Sequence, residues 1–127
     1  MHWFKLNSDD ARHKINGLAS CGGIIRDSMG QWVHSFTKFI DICSVDEAEL
    51  WRLFVGLTCA RNIGLNQVIV ECDSMEALRL VQQRISCSGW KLILAHIEEL
   101  LHQNWVVEFR FIHREENVLV YAMAKLA

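Results

Sequence analysis

Between Asp46 and Ser74 a long helical pattern, a glycine stop and a strand with an apolar centre follow one another, and this succession constrains the fold more than any other stretch. Leu50, Leu53, Phe54, Leu57 and Ala60 recur at helical spacing and fall on one arc of a wheel, with Glu49 at its border one turn in from the start. Gly64 supplies a left-handed stop. Val68-Ile69-Val70 then reads as a buried strand, the kind found inside a sheet beside parallel neighbours. Asp73 stands just past its carboxyl end, where open α/β sheets gather ligands. Two acids from different elements, Glu49 and Asp73, can therefore meet.

The flanking segments extend this pattern. Trp3 to Ser8 alternates like a strand, with Asp9 at its end. Gly17 to Arg26 is a second strand, in which Gly22-Gly23 suggests a bulge or a close backbone approach. Asp27-Ser28-Met29-Gly30 has hairpin-turn chemistry, Gly30 being free to take positive φ, and Gln31 to Phe39 returns as the antiparallel partner. The long helix is expected from about Val45, behind Ser44 as N-cap, to about Ile63. After the strand Gln67 to Cys72, Ser74 caps a helix reaching Arg84, Ile85 to Gly89 is a loop, and Lys91 to His102 is again helical. Trp105 to Ile112 alternates as a fifth strand, and Asn117 to Ala127 begins a closing helix cut short by the chain end. The expected order is βββαβααβα in one α/β domain over residues 1–127.

Size and composition exclude several classes. A chain of 127 residues buries roughly two-thirds of its unfolded surface, enough for a real core. No apolar run approaches the ~20 residues that span a bilayer, so no membrane partner is expected, and no basic segment followed by a long apolar one marks a secretory signal. The five cysteines include no C-x-x-C pair, which argues against a zinc site or disulfide framework and for a reducing intracellular compartment, cytoplasm or nucleus. A formal net charge of −2 gives no general attraction for nucleic acid. A polyanion would need local help, from the basic loop Arg12-His13-Lys14 or from metal ions held by the acids. No Gly-rich loop follows a strand and opens a helix, which disfavours a nucleotide-binding doubly wound domain.

The phrases Lys5-Leu6-Asn7-Ser8-Asp9, Gly22-Gly23-Ile24-Ile25-Arg26-Asp27, Glu47-Ala48-Glu49-Leu50-Trp51, Val70-Glu71-Cys72-Asp73-Ser74 and His113-Arg114-Glu115-Glu116-Asn117, closing on Ala122-Met123-Ala124-Lys125-Leu126-Ala127, carry a resemblance. Together, across almost the whole chain, they resemble the plant reverse-transcriptase-like branch of the ribonuclease H superfamily, retroelement-derived type 1 ribonuclease H domains. The resemblance implies a ribonuclease H-like fold, a five-stranded mixed sheet in the order 3-2-1-4-5 flanked by helices. It also implies a monomer that hydrolyses the RNA strand of an RNA–DNA hybrid with Mg²⁺ or Mn²⁺. Asp9, Glu49 and Asp73 match three of the family's four acidic metal ligands. In that strand order the elements ending in Asp9 and Asp73 are neighbours where the winding reverses. Hydrolysis of a phosphodiester needs an acidified water and a neutralised charge, which two divalent ions about 4 Å apart supply when several carboxylates hold them. The hybrid's minor-groove side, with its 2′-hydroxyls, would lie near Arg12, Lys14 and the start of the long helix.

The chain departs from the family pattern in places that bear on activity. Aligning Ala122-Met123-Ala124-Lys125 with the family's closing phrase puts Tyr121 at the fourth acid's position. Tyrosine is neutral at pH 7 and cannot replace an anionic ligand, so at least one metal should be held poorly. Glu115 and Glu116 are the only nearby substitutes. The family's Gly-Ser and glycine- and proline-rich loop after the first acid is here Asp10-Ala11-Arg12-His13-Lys14-Ile15-Asn16, and Ser8 stands where the family prefers an apolar residue.

Plainer readings exist for each residue. Taken alone, Asp9 is a turn residue at a strand end, Glu49 complements the dipole of a helix start beside Asp46 and Glu47, and Asp73-Ser74 is a strand-to-helix cap. His113, at the end of the fifth strand, suits a surface role better than proton transfer, and Trp51 with Val55 suits packing against a neighbouring helix better than base stacking. Two alternatives to an impaired hydrolase follow: a module that binds nucleic acid without cutting it, and a protein-interaction remnant using Trp51, Val55 and Trp90.

Overall fold

A computed structural model describes residues 3–12, 19–40, 45–83 and 91–113. Its elements in chain order are β1 (Phe4–Arg12), β2 (Ala19–Arg26), β3 (Trp32–Ile40), α1 (Val45–Asn62), β4 (Gln67–Cys72), α2 (Met75–Gln83), α3 (Lys91–Leu101) and β5 (Val106–Phe111). The strands form one mixed sheet in the order β3-β2-β1-β4-β5, as the resemblance implied. β1 pairs antiparallel with β2 and parallel with β4, and β4 pairs parallel with β5, so the winding changes direction between β1 and β4. The expected closing helix over Asn117 to Ala127 and the expected N-cap Ser44 lie outside the described residues.

The first hairpin shows how turn chemistry sets register. Asp27 Oδ1 accepts from the backbone N–H of Met29 and of Gln31, at 2.9 Å each, and Gly30 takes φ 81° where a side chain would be strained. At the far end of α1, Gly64 (φ 87°) makes the expected stop. The N–H of Leu65 reaches back to the carbonyl of Ala60 and that of Gly64 to Arg61, and both Leu65 and Ala60 enter the core. This is the doubly bonded helix end that a left-handed glycine permits.

β1 differs from expectation. The alternation predicts a strand ending at Ser8, yet β1 runs to Arg12. Its parallel ladder with β4 stops at Asn7 opposite Glu71, but its antiparallel ladder with β2 continues through Asp9 opposite Gly22 to Arg12 opposite Ala19. One remaining partner is enough to keep a polar segment extended, because its backbone groups are still paired. Asp9 therefore lies within a strand and Arg12 is a strand residue, not part of a loop.

Gly22-Gly23 predicts a bulge or a close approach, and the structure shows the second. The register shift between β2 and β3 falls at Ile25/Arg26 instead. A Cβ on Gly23 would sit 2.4 Å from Phe36 Cζ and 2.7 Å from the backbone oxygen of Asn7. A ring tip can swing aside, but a ladder carbonyl cannot. Gly23→Ala is therefore expected to cost about 1–3 kcal/mol by overpacking, read as a lower urea midpoint at unchanged slope.

The main core joins Leu6, Val68, Val70 and Cys72 of the sheet to Leu50, Leu53, Leu57 and Ala60 of α1, with Leu78 and Val81 of α2 and Ile93 and Ile97 of α3. Of the arc expected on α1, Leu50, Leu53, Leu57 and Ala60 are buried and Phe54 is half-buried against the core. The helix is enclosed beyond that arc, because α1 also packs on β2 and α3, and Ala48, Arg52 and Gly56 are buried as well. Among the described residues no helix is long and apolar enough to cross a membrane.

Candidate active site

The end of the β1–β4 ladder and the start of α1 carry the predicted acids. The last parallel pair is Asn7 opposite Glu71, and two residues further along each chain stand Asp9 and Asp73. β4 ends at Cys72, Asp73 turns out of the sheet, and Ser74 opens α2. Ser74 Oγ accepts from the N–H of Ala77 at 3.1 Å, the N-cap bond expected of a serine three residues ahead. The same hydroxyl donates to Glu49 Oε2 at 2.7 Å. Glu49 is thereby fixed at the amino end of α2, where the helix dipole favours a carboxylate. The side chain of Asp9 lies outside the described residues.

Ser74→Ala removes both the cap and the anchor of Glu49. It is expected to cost about 1–2 kcal/mol, at the upper end for an N-cap, measured by chemical denaturation.

Sequence reasoning missed Arg52. One turn after Glu49 on α1, its guanidinium reaches the loop after β4, with Nη2 2.8 Å from Asp73 Oδ1 and both side chains at 0% exposure. The same nitrogen donates to Cys72 Sγ at 3.1 Å. Burial pushes the Cys72 thiol above its ordinary value, with Arg52 and the Ser74 backbone opposing only in part, so the sulfur beside Arg52 stays a neutral thiol. Among the described residues, Asp73 is the carboxylate in ion-pair contact with the buried arginine. Arginine in a helix ordinarily reads as a solvent-facing residue; the available signal was its position at the border of the apolar arc, one turn from Glu49.

Whether these donors fit a pair of divalent ions can be judged from their bonds. Mg²⁺ demands a near-ideal set of oxygens and sheds water reluctantly. Here Asp73 Oδ1 faces a guanidinium at 2.8 Å and Glu49 Oε2 takes the Ser74 hydroxyl, so both described acids are engaged inside the protein. A fixed positive charge so near Asp73 opposes a dication at the same carboxylate. Among the described residues no group of three or more His, Cys, Asp or Glu side chains is placed to hold a metal ion. Glu49 and Asp73, the two described acids of the expected set, are thus already engaged within the protein, and the side chain of the third, Asp9, lies outside the described residues.

A second polar pair sits at the same end of the sheet. Asn7 Nδ2 donates to Glu71 Oε1 at 3.0 Å, joining β1 to β4 through side chains as well as backbone. Neither residue stood out in the sequence, since each reads as an ordinary strand position.

Other candidates fall elsewhere. His113 is exposed beyond β5, its ring edge-on to Phe111 at 5.5 Å, consistent with a surface role. Trp51 and Val55 are half-buried and pack against Cys21 of β2 and Ala48, with Trp51 also edge-on to Phe54 at 5.6 Å. Their stripe is used within the domain, with Trp51 also packed on the main core to which α2 and α3 contribute. Arg12 has its backbone in β1 but its side chain outside the described residues, where Lys14, Trp90, Glu115, Glu116 and Tyr121 also lie. Among the described residues Cys21, Cys59 and Cys72 are free thiols.

Comparison with known proteins places this geometry in a family. Residues 7–127 match the family model described as reverse transcriptase-like. A protein of Arabidopsis thaliana named for ribonuclease H is 34% identical over 98% of this chain, which spans 20% of that protein's length. Among solved structures, ribonuclease H1 from the halophilic archaeon Halobacterium salinarum superposes with a TM-score of 0.85 at 18% identity, covering 97% of each chain. LC11 ribonuclease H1 in complex with an RNA/DNA hybrid superposes with a TM-score of 0.82 at 20% identity, covering 98% of this chain and 99% of that one. The chain belongs to the reverse-transcriptase-like family, as a ribonuclease H-like domain of retroelement type.

Proposed function

We propose that this domain binds nucleic acid of the RNA–DNA hybrid class at the carboxyl ends of β1 and β4, and that its hydrolysis of the RNA strand is impaired. The observation that carries the reading is the meeting of Glu49 and the Asp73-Ser74 turn, from elements far apart in sequence, in a chain matching the family over residues 7–127. The hybrid in the LC11 complex supports the substrate class. Impairment is supported by two features: Tyr121 stands at the position of the family's fourth acid, and both described acids are bonded within the protein. Asp9, Glu49 and Asp73 are the residues that would hold Mg²⁺ or Mn²⁺ in a working relative of this domain, with Arg12 and Lys14 as phosphate contacts.

The non-catalytic variant of this reading is favoured by the Arg52–Asp73 pair. A labelled RNA–DNA hybrid tests both. Binding measured in EDTA is expected to persist and to weaken linearly with the logarithm of salt concentration, as phosphate contacts require. Cleavage of the RNA strand is expected to stay near the metal-free background when Mg²⁺ or Mn²⁺ is added. Absence of hybrid binding at low salt would remove the proposed substrate class, and rapid metal-dependent cleavage would remove the claim of impairment.

A further inference from the structure

We propose that Arg52 is a built-in cation that fills, at Asp73, the electrostatic place of a divalent ion, so that this end of the sheet is held together without metal. The inference rests on the proposed function only for the kind of ion the place would otherwise take.

A carboxylate turned inward at the end of a buried strand needs a positive partner, since an isolated buried anion is too costly to keep. In a metal site that partner comes from solution and the neighbouring carboxylates share it. In this chain it comes from α1, one helical turn after Glu49 and in contact with both Cys72 and Asp73. One nitrogen of the guanidinium lies 2.8 Å from the Asp73 oxygen as an ion pair and donates to the Cys72 sulfur. Glu49, the other described acid, is satisfied by the Ser74 hydroxyl and the amino end of α2. Each described anion thus has an internal partner, which makes ion uptake a competition with bonds already formed. An ordinary surface ion pair would leave metal binding untouched, but a pair at 0% exposure cannot swing aside into water.

Titrating the purified chain with Mn²⁺ in metal-free buffer, by calorimetry and by thermal unfolding against EDTA, tests this without nucleic acid. Its result therefore does not depend on whether hybrid binds. The parent protein is expected to show the same melting temperature with millimolar Mn²⁺ as with EDTA, and no saturable heat that Asp73→Asn abolishes. Arg52→Gln is expected to melt lower in EDTA, to recover part of that loss in Mn²⁺, and to show the saturable Mn²⁺ heat that the parent lacks, once the opposing charge is gone. Saturable Mn²⁺ binding by the parent that Asp73→Asn removes would overturn the proposal, whether or not the Arg52 variant folds. A folded Arg52→Gln that takes up Mn²⁺ no better than the parent would overturn it as well.

Discussion

Asp73→Asn is expected to destabilise the domain by about 3–5 kcal/mol, the scale of breaking one partner out of a buried ion pair. The substitution keeps the side chain's shape and removes only its charge, taking from the buried Arg52 guanidinium the carboxylate 2.8 Å away. The sign is the informative part. Where several carboxylates crowd together awaiting a metal, neutralising one relieves like-charge repulsion and tends to stabilise the metal-free protein. Where the carboxylate is already balanced from within, neutralising it has the opposite effect. Urea denaturation in EDTA distinguishes the two, and a stability unchanged or raised by the substitution would count against the pair.

The second large effect concerns chemistry. If Tyr121 stands where the resemblance puts the family's fourth acid, Tyr121→Asp restores that residue type, and it would raise hybrid cleavage on its own only if the remaining acids were open. With Arg52 on Asp73, Tyr121→Asp alone is expected to leave cleavage near the parent's level. Tyr121→Asp combined with Arg52→Gln is expected to raise Mg²⁺-dependent cleavage of the RNA strand by on the order of a hundredfold, the scale of restoring one electrostatic group at a reacting centre. Single-turnover assays on one hybrid compare the four proteins. A parent that cuts as well as the double variant would refute the lost-ligand reading of Tyr121, and a full gain from Tyr121→Asp alone would clear Arg52 of any blocking role.

Much of the frame was legible because it rests on patterns that backbone chemistry enforces. The arc of Leu50, Leu53, Leu57 and Ala60 is buried as its spacing requires, and Gly64 ends α1 by the left-handed route. The sheet order, by contrast, was read from the resemblance; local periodicity says nothing about which strands are neighbours. The length of β1 was misread because Asp9 and Asp10 look like an ending, whereas the ladder to β2, a non-local partner, holds the segment extended. Trp51 and Val55 were placed on a stripe correctly, but only the tertiary arrangement shows that a strand residue, Cys21, receives them.

The site was legible as a set of acids and illegible as a set of bonds. Glu49 meets Ser74, the neighbour of Asp73, through a hydroxyl that also caps α2. Arg52 escaped notice because its partners are 20 residues or more away in sequence, and a positive charge on a helix gives no sign of burial until the end of β4 comes against it. Its presence changes the reading of Asp73 from an oxygen donor in waiting to one half of a completed pair.

A double-mutant cycle over Arg52 and Asp73 is the most direct measurement of that pair, using Arg52→Gln, Asp73→Asn and their combination in urea denaturation without metal. The expected result is a coupling of at least about 2 kcal/mol, with the double variant far less destabilised than the sum of the two single changes. Additivity within about 0.5 kcal/mol would contradict a buried guanidinium–carboxylate contact and return Asp73 to the role of an open metal ligand.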